Sequence, residues 1–356
     1  MSGMHAEIAD PNDVVGRARK LADELLFPLA QDVDRGERVP AESLTALADA
    51  GMFGVVGPRS HGGFDLEPAA ARRTLAAIGS GCGATFFVWA QHHTTVRTLR
   101  SSSNSALVDR LLAAMCAGDL LAGVAFAHVR RPGPPAVLAT RGDGGWVLSG
   151  HMPWTTSWGL ADWFSIAAVS EDGELVWSML SADDMSGVAA SPLALPVLGA
   201  TGTVALTFDR CFVPDDHVAA TEDADRWRAL DRIRSSIGQP AVLGVAERAI
   251  RLLDDAGESE ARDAADRLRP ELASTWERDD DLLRAMMAGE EMTSDGSDHR
   301  AACIDLARRS TTALLAAVGG RGMDLGHPAQ RLAREADFYV VQAQTPDGRT
   351  ATLRSV

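Results

Sequence analysis

Apolar residues recur at helical spacing from the start of the chain. Val14, Ala18, Leu21 and Leu25 share one face, with Asp13 placed to cap the helix. Pro40 suits a first helical position; Leu44, Leu47 and Ala48 form the next stripe, which Gly51 ends. A turn cluster, residues 57–64, follows. Further helices are predicted from Pro68 to Ser80, from Gly83 through Trp89 to Leu99, and from Asn104 or Ser105 to Gly118. The texture changes near Asp119. To Val218, Gly, Pro and Asp punctuate short β-prone runs at 146–148, 164–169, 175–180 and 204–208. Their spacing predicts a small antiparallel sandwich or barrel. Helical periodicity returns at 227–253, 261–287, 299–318 and 328–342, with a polar break at 289–298. The pattern therefore divides into residues 1–118, helical; 119–222, β; and 223–356, helical, the last expected to pack as a four-helix bundle.

Composition narrows the partners. The 356 residues are 46% hydrophobic, enough for a large core, and the net charge of -15 excludes a basic nucleic-acid footprint and disfavours an anionic membrane surface. Cys82, Cys116, Cys211 and Cys303 are far apart and form no CxxC pair, which fits a cytosolic enzyme better than a disulfide framework or zinc site. No signal-peptide pattern and no run of membrane-spanning length is seen.

Candidate chemistry centres on residues 150–164, between two predicted strands. Trp154 offers a face to a flat heterocycle; Thr156 and Ser157 offer hydroxyls and backbone amides to its polar edge. A β-turn whose Trp caps a core reads the same residues equally well.

The element order and four motifs resemble the acyl-CoA dehydrogenase family. They are the run from Leu47 to Gly54 with Pro58 and Gly62-Gly63; Gly150, Trp154, Thr156, Ser157 and Ala161-Asp162; the run from Thr207 to Pro214; and Gly319-Gly320-Arg321-Gly322-Met323 with the run from Arg331 to Ala336. The resemblance implies an α+β fold with helical, β and four-helix-bundle domains. It implies FAD between the β-domain and the bundle, an acyl-CoA substrate oxidised at Cα–Cβ, and a homodimer or homotetramer. Trp154 would cover the isoalloxazine, with Thr156 and Ser157 near its polar edge. Gly319, Gly320 and Gly322 would admit the pyrophosphate or adenylate end, or simply form an interhelical turn.

Several positions depart from that pattern. The family's base is a glutamate, and the matching position is Ala343, followed by Gln344 instead of glycine. In some relatives the base lies on an earlier helix, where Ile233 stands here. On that helix Asp231 and Arg234 are substrate-binding candidates, Asp231 serving equally as a cap or ion-pair partner. An arginine-bearing run that reaches a neighbour's FAD is missing, and a glutamine contact appears as Ala316. The flavin loop has become the run from Ala125 to Pro135. In it, Phe126 and His128 are candidates for the site, and Arg130 and Arg131 could meet a phosphate of CoA or FMN or remain solvated charges. His92 and His93 match a helix where flavin monooxygenases of the same fold carry a histidine facing the flavin; adjacent helical residues point about 100° apart, so one at most can do so. Three readings follow: an acyl-CoA dehydrogenase, degenerate within a mixed oligomer; a monooxygenase using reduced flavin; and a non-catalytic scaffold that has lost FAD.

Overall fold

The computed structural model describes residues 11–131 and 133–355. Among them, six α-helices come first: α1 (Pro11–Leu21), α2 (Phe27–Arg35), α3 (Ala41–Asp49), α4 (Pro68–Gly81), α5 (Gly83–Arg100) and α6 (Ser105–Ala117). The helix expected after Asp13 begins at Pro11, and a single π-helical turn, Ala22–Leu26, joins α1 to α2. Val14, Ala18, Leu26 and Leu47 are buried as their spacing requires. Asn104 caps α6 by accepting the Leu107 N–H, and Gly118, left-handed at φ 86°, ends it.

Eight strands follow among the described residues: β1 (Ala122–Ala125), β2 (Val137–Gly142), β3 (Gly145–Thr155), β4 (Trp163–Ser170), β5 (Glu174–Ser181), β6 (Val188–Pro192), β7 (Val204–Pro214) and β8 (Val218–Asp223). They form one sheet in the order β6-β7-β3-β2-β4-β5-β8, with β1 beside β4. Most pairings are antiparallel, as the spacing predicts; β1 and β2 each pair with β4 in parallel. β4 and β5 are buried along nearly their whole length, because both faces of the sheet are covered there. The register of β3 on β7 slips twice, the second time between Met152 and Thr155. That bulge turns Trp154 out of the ladder.

The last helices are α7 (Ala224–Ser236), α8 (Ala241–Asp255), α9 (Ser259–Met287), α10 (Thr293–Val318), α11 (Pro328–Val341) and α12 (Pro346–Arg354). α8 to α11 pack on one another as the bundle. The single helical run expected at 227–253 is broken in two, since Gly238 adopts φ 71° and Pro240 follows. α10 starts earlier than expected, inside the polar stretch, because Gly296 packs on Ser236 and Ile237 at the end of α7. None of the described helices is long and apolar enough to cross a membrane.

α8 lies hard against α4. A Cβ on Gly244 would stand 2.1 Å from the Ala76 carbonyl oxygen, backbone that cannot step aside. Gly244→Ala is therefore expected to cost about 1–3 kcal/mol through overpacking. A denaturant midpoint equal to that of the wild type would contradict this contact.

Candidate functional site

A cleft of about 860 Å³ opens between the sheet and the C-terminal helices. Phe87 and Gln91, one turn apart on α5, form one wall with Val124 of β1. Phe126, Arg130 and Arg131 come from the turn after β1, and Trp154 and Thr156 from the end of β3. The opposite wall is Phe338, the run from Val341 to Thr345, and the exposed face of α12. Trp154 is half exposed, which a Trp capping a core would not be. It holds φ 65°, and Leu198 and Ala343, both on the cleft, hold φ 59° and 47°. Left-handed backbone costs such residues about 1–2 kcal/mol each. Its concentration here marks a place where shape has been kept at the expense of stability.

Three buried threonines run behind the shelf. Thr201 Oγ1 donates to the Leu198 carbonyl at 2.7 Å, which uses its only proton. The 2.8 Å contact of Thr201 with Thr203 must then be donated by Thr203. The 3.2 Å contact between Thr203 and Thr156 must in turn be donated by Thr156. Thr156 is thereby left with lone pairs toward the cleft and acts as an acceptor.

Arg130 is held by two hydrogen bonds to Asp231, at 2.6 and 2.8 Å, and a third to Ser235 at 3.2 Å. Its guanidinium lies 4.7 Å above the Phe126 ring. Across the cleft, buried Arg300 donates to the carbonyls of Gln342, Ala343 and Tyr339 at the end of α11. Burial and the nearby Arg130 push its guanidinium down to about 10. These bonds pin the turn that carries Ala343.

The cleft thus brings together Phe126, Arg130, Arg131, Trp154, Thr156 and Ala343. It leaves out the two α5 histidines, His128, Ser157, the three glycines after α10, Asp231 and Arg234. His92 is fully buried, donating through Nε2 to the Met115 carbonyl at 3.1 Å and accepting the Ala122 N–H through Nδ1 at 3.1 Å; burial lowers it to about 3. His93 packs edge-on against Trp89, and burial lowers it well below the usual imidazole range. Their neighbour Gln91 faces the cleft instead. His128 turns into the sheet, donating to the Ala167 carbonyl at 2.9 Å, and burial lowers its pKa. Ser157 is fully buried, with its N–H on the Thr201 carbonyl. Gly319, Gly320 and Gly322 form the turn between α10 and α11, away from the cleft lining. Asp231 is an ion-pair partner, and Arg234 is exposed on α7 outside the lining. Thr201, Thr203 and Phe338 line the cleft and were not singled out in the sequence; the hydroxyls flanking Gly202 were the available signal.

Residues 10–119 match the family of the acyl-CoA dehydrogenase N-terminal domain. The butyryl-CoA dehydrogenase of Megasphaera elsdenii superposes with a TM-score of 0.80 over 100% of this chain and 99% of that one, at 17% identity. The chain resembles the acyl-CoA dehydrogenases and has their fold. It is 29% identical to the benzylmalonyl-CoA dehydrogenase of Aromatoleum aromaticum over 65% of this chain and 63% of that one. It is 27% identical to the oxygenase component of an FADH(2)-dependent resorcinol hydroxylase from a Rhizobium species, over 59% of this chain and 50% of that one. The matched stretch covers less than two thirds of either relative's length.

Proposed function

We propose that this acyl-CoA dehydrogenase-fold protein is a flavin-dependent oxidoreductase of the monooxygenase type, working on FAD or FMN supplied in reduced form. The observation that carries this reading is the cleft's lining. Among the described residues it contains no Asp, Glu, His, Lys, Tyr or Cys. Abstracting a proton from carbon needs a positioned base, and Ala343 cannot serve. Monooxygenation makes no such demand: one atom of O₂ enters the substrate, the other leaves as water, and the reduced flavin supplies two electrons.

The lining fits a flavin. Phe87, Phe126, Trp154 and Phe338 offer faces and edges to a tricyclic ring; Gln91, Gln342 and Gln344 offer amides to its polar edge. The threonine chain ends in an acceptor, which suits a ring N–H, and reduction of the isoalloxazine adds such groups. Arg349 on α12 is available to a phosphate.

Purified protein should bind reduced flavin and consume oxygen in its presence. Trp154→Ala should weaken flavin binding about tenfold or more, since an aromatic anchor is lost; an unchanged titration would remove Trp154 from the site. Similarity to benzylmalonyl-CoA dehydrogenase favours a second reading, acyl-CoA dehydrogenation with the base supplied by a related chain in a mixed assembly. Tight FAD bleached anaerobically by an acyl-CoA, without oxygen uptake, would decide for it and against monooxygenation.

A further inference from the structure

The chain carries 49 acidic and 34 basic residues, yet every ionisable side chain on the described cleft lining is an arginine: Arg130, Arg131 and Arg349. An excess of acid everywhere else and none here is a statement about the occupant. Arg130 is the most constrained of the three. Its Nε and Nη2 are committed to Asp231 and Ser235, and Phe126 backs its plane. Nη1 has no hydrogen-bond partner among the described residues and remains for a ligand. Arg131, the next residue, is exposed and has no ion pair among the described residues. Two guanidiniums with free donors, one of them fixed in place, match the two oxygens of a carboxylate. Phe126, Val124 and Phe87 beside them supply an apolar wall for the rest of the molecule.

We infer that the substrate of this cleft carries a free carboxylate, seated on Arg130 and Arg131. The inference rests on the flavin reading only for the second occupant: Arg349, on a different element, is left for the flavin phosphate. Asp231 then becomes a positioning residue, orienting Arg130 without touching the substrate.

The test titrates flavin-loaded protein with benzoate and, in parallel, with its neutral counterpart benzamide, following the flavin absorption spectrum. Benzoate should bind saturably and at least about tenfold more tightly than benzamide, the effect of a charge-assisted bond. Arg131→Gln, an exposed position that the fold tolerates, should weaken benzoate by about tenfold while leaving riboflavin, FMN and FAD within about twofold. Equal affinity for benzoate and benzamide overturns the inference. So does an Arg131→Gln protein that loses FMN and FAD but keeps riboflavin, because Arg131 would then serve the flavin phosphate. Wild-type protein that binds no flavin refutes the flavin reading alone. Calorimetry of benzoate and benzamide with unloaded wild type and Arg131→Gln then decides the carboxylate site by the same comparison.

Discussion

Replacing Asp279 by alanine is expected to lower the unfolding free energy by about 2–4 kcal/mol, because it leaves a largely buried guanidinium without its counter-charge. Asp279, on α9, is almost completely buried. It takes two hydrogen bonds from Arg72 of α4, at 2.6 and 2.7 Å, and one from His299 of α10 at 3.1 Å. Burial alone would raise the carboxyl; the bonds from His299 and Arg72 outweigh it and leave the group below its ordinary value. Arg72 also donates to the Gly238 carbonyl at 3.2 Å, so the cluster fixes the break between α7 and α8. Removing both charges with a volume-matched pair, Asp279→Leu with Arg72→Met, should restore most of the loss, since the desolvation of the charges offsets much of their attraction. Denaturant unfolding of the three proteins checks this. A double variant as unstable as Asp279→Ala would mean that the ion pair itself, and not the stranded arginine, carries the effect.

The same α7 shows why some of the site was legible and some was not. Helix positions followed from period and punctuation: Pro68, Gly83 and Gly118 mark ends that the structure places within a residue or so. Trp154 and Thr156 could be read either as a shelf or as a β-turn whose Trp caps a core, and the exposure of Trp154 on the cleft separates the two. What sequence could not reveal was direction. His92 and Gln91 are neighbours on one helix, and which of them faces the cleft depends on how α5 rolls against α6 and β1. Asp231 and Arg130 are 101 residues apart, so their pairing belongs to tertiary packing. The acceptor role of Thr156 depends on three contacts whose order is set by the Leu198 carbonyl. β1, β2, β6 and β8 escape the sequence reading because each carries a single valine and no aromatic among mostly small or polar residues, a weak strand signal.

Acid should unfold this protein through its buried histidines, His92, His93 and His128. In the unfolded chain His92 has the ordinary imidazole pKa of 6.5; in the fold, burial holds it near 3. The Ala122 N–H reinforces the neutral ring, because it occupies the nitrogen that would have to accept a proton; the bond to the Met115 carbonyl works the other way, and burial outweighs it. As pH falls below 6.5 the unfolded state therefore binds a proton that the folded state refuses, and stability is lost progressively until pH approaches 3. The separation of about 3.5 pK units corresponds to about 5 kcal/mol. His93 and His128 are shifted in the same direction by their own burial. Glu335 opposes them, since burial raises its carboxyl and protonation near and above 4.5 favours the fold. Between pH 6 and 5 the histidines should dominate, giving a slope of roughly 2–4 kcal/mol per pH unit for about two to three protons. His92→Gln should be less stable at pH 7, yet its slope should fall by about 1.4 kcal/mol per unit, one proton's worth. Burial, the largest cause of its shift, keeps His93 neutral in both proteins between pH 6 and 5, so the difference isolates this ring. Equal slopes would show that His92 takes up its proton without leaving the fold. The consequence reaches the cleft, because His92 ties α5 and the end of α6 to β1, the strand that leads directly into Phe126 and Arg130.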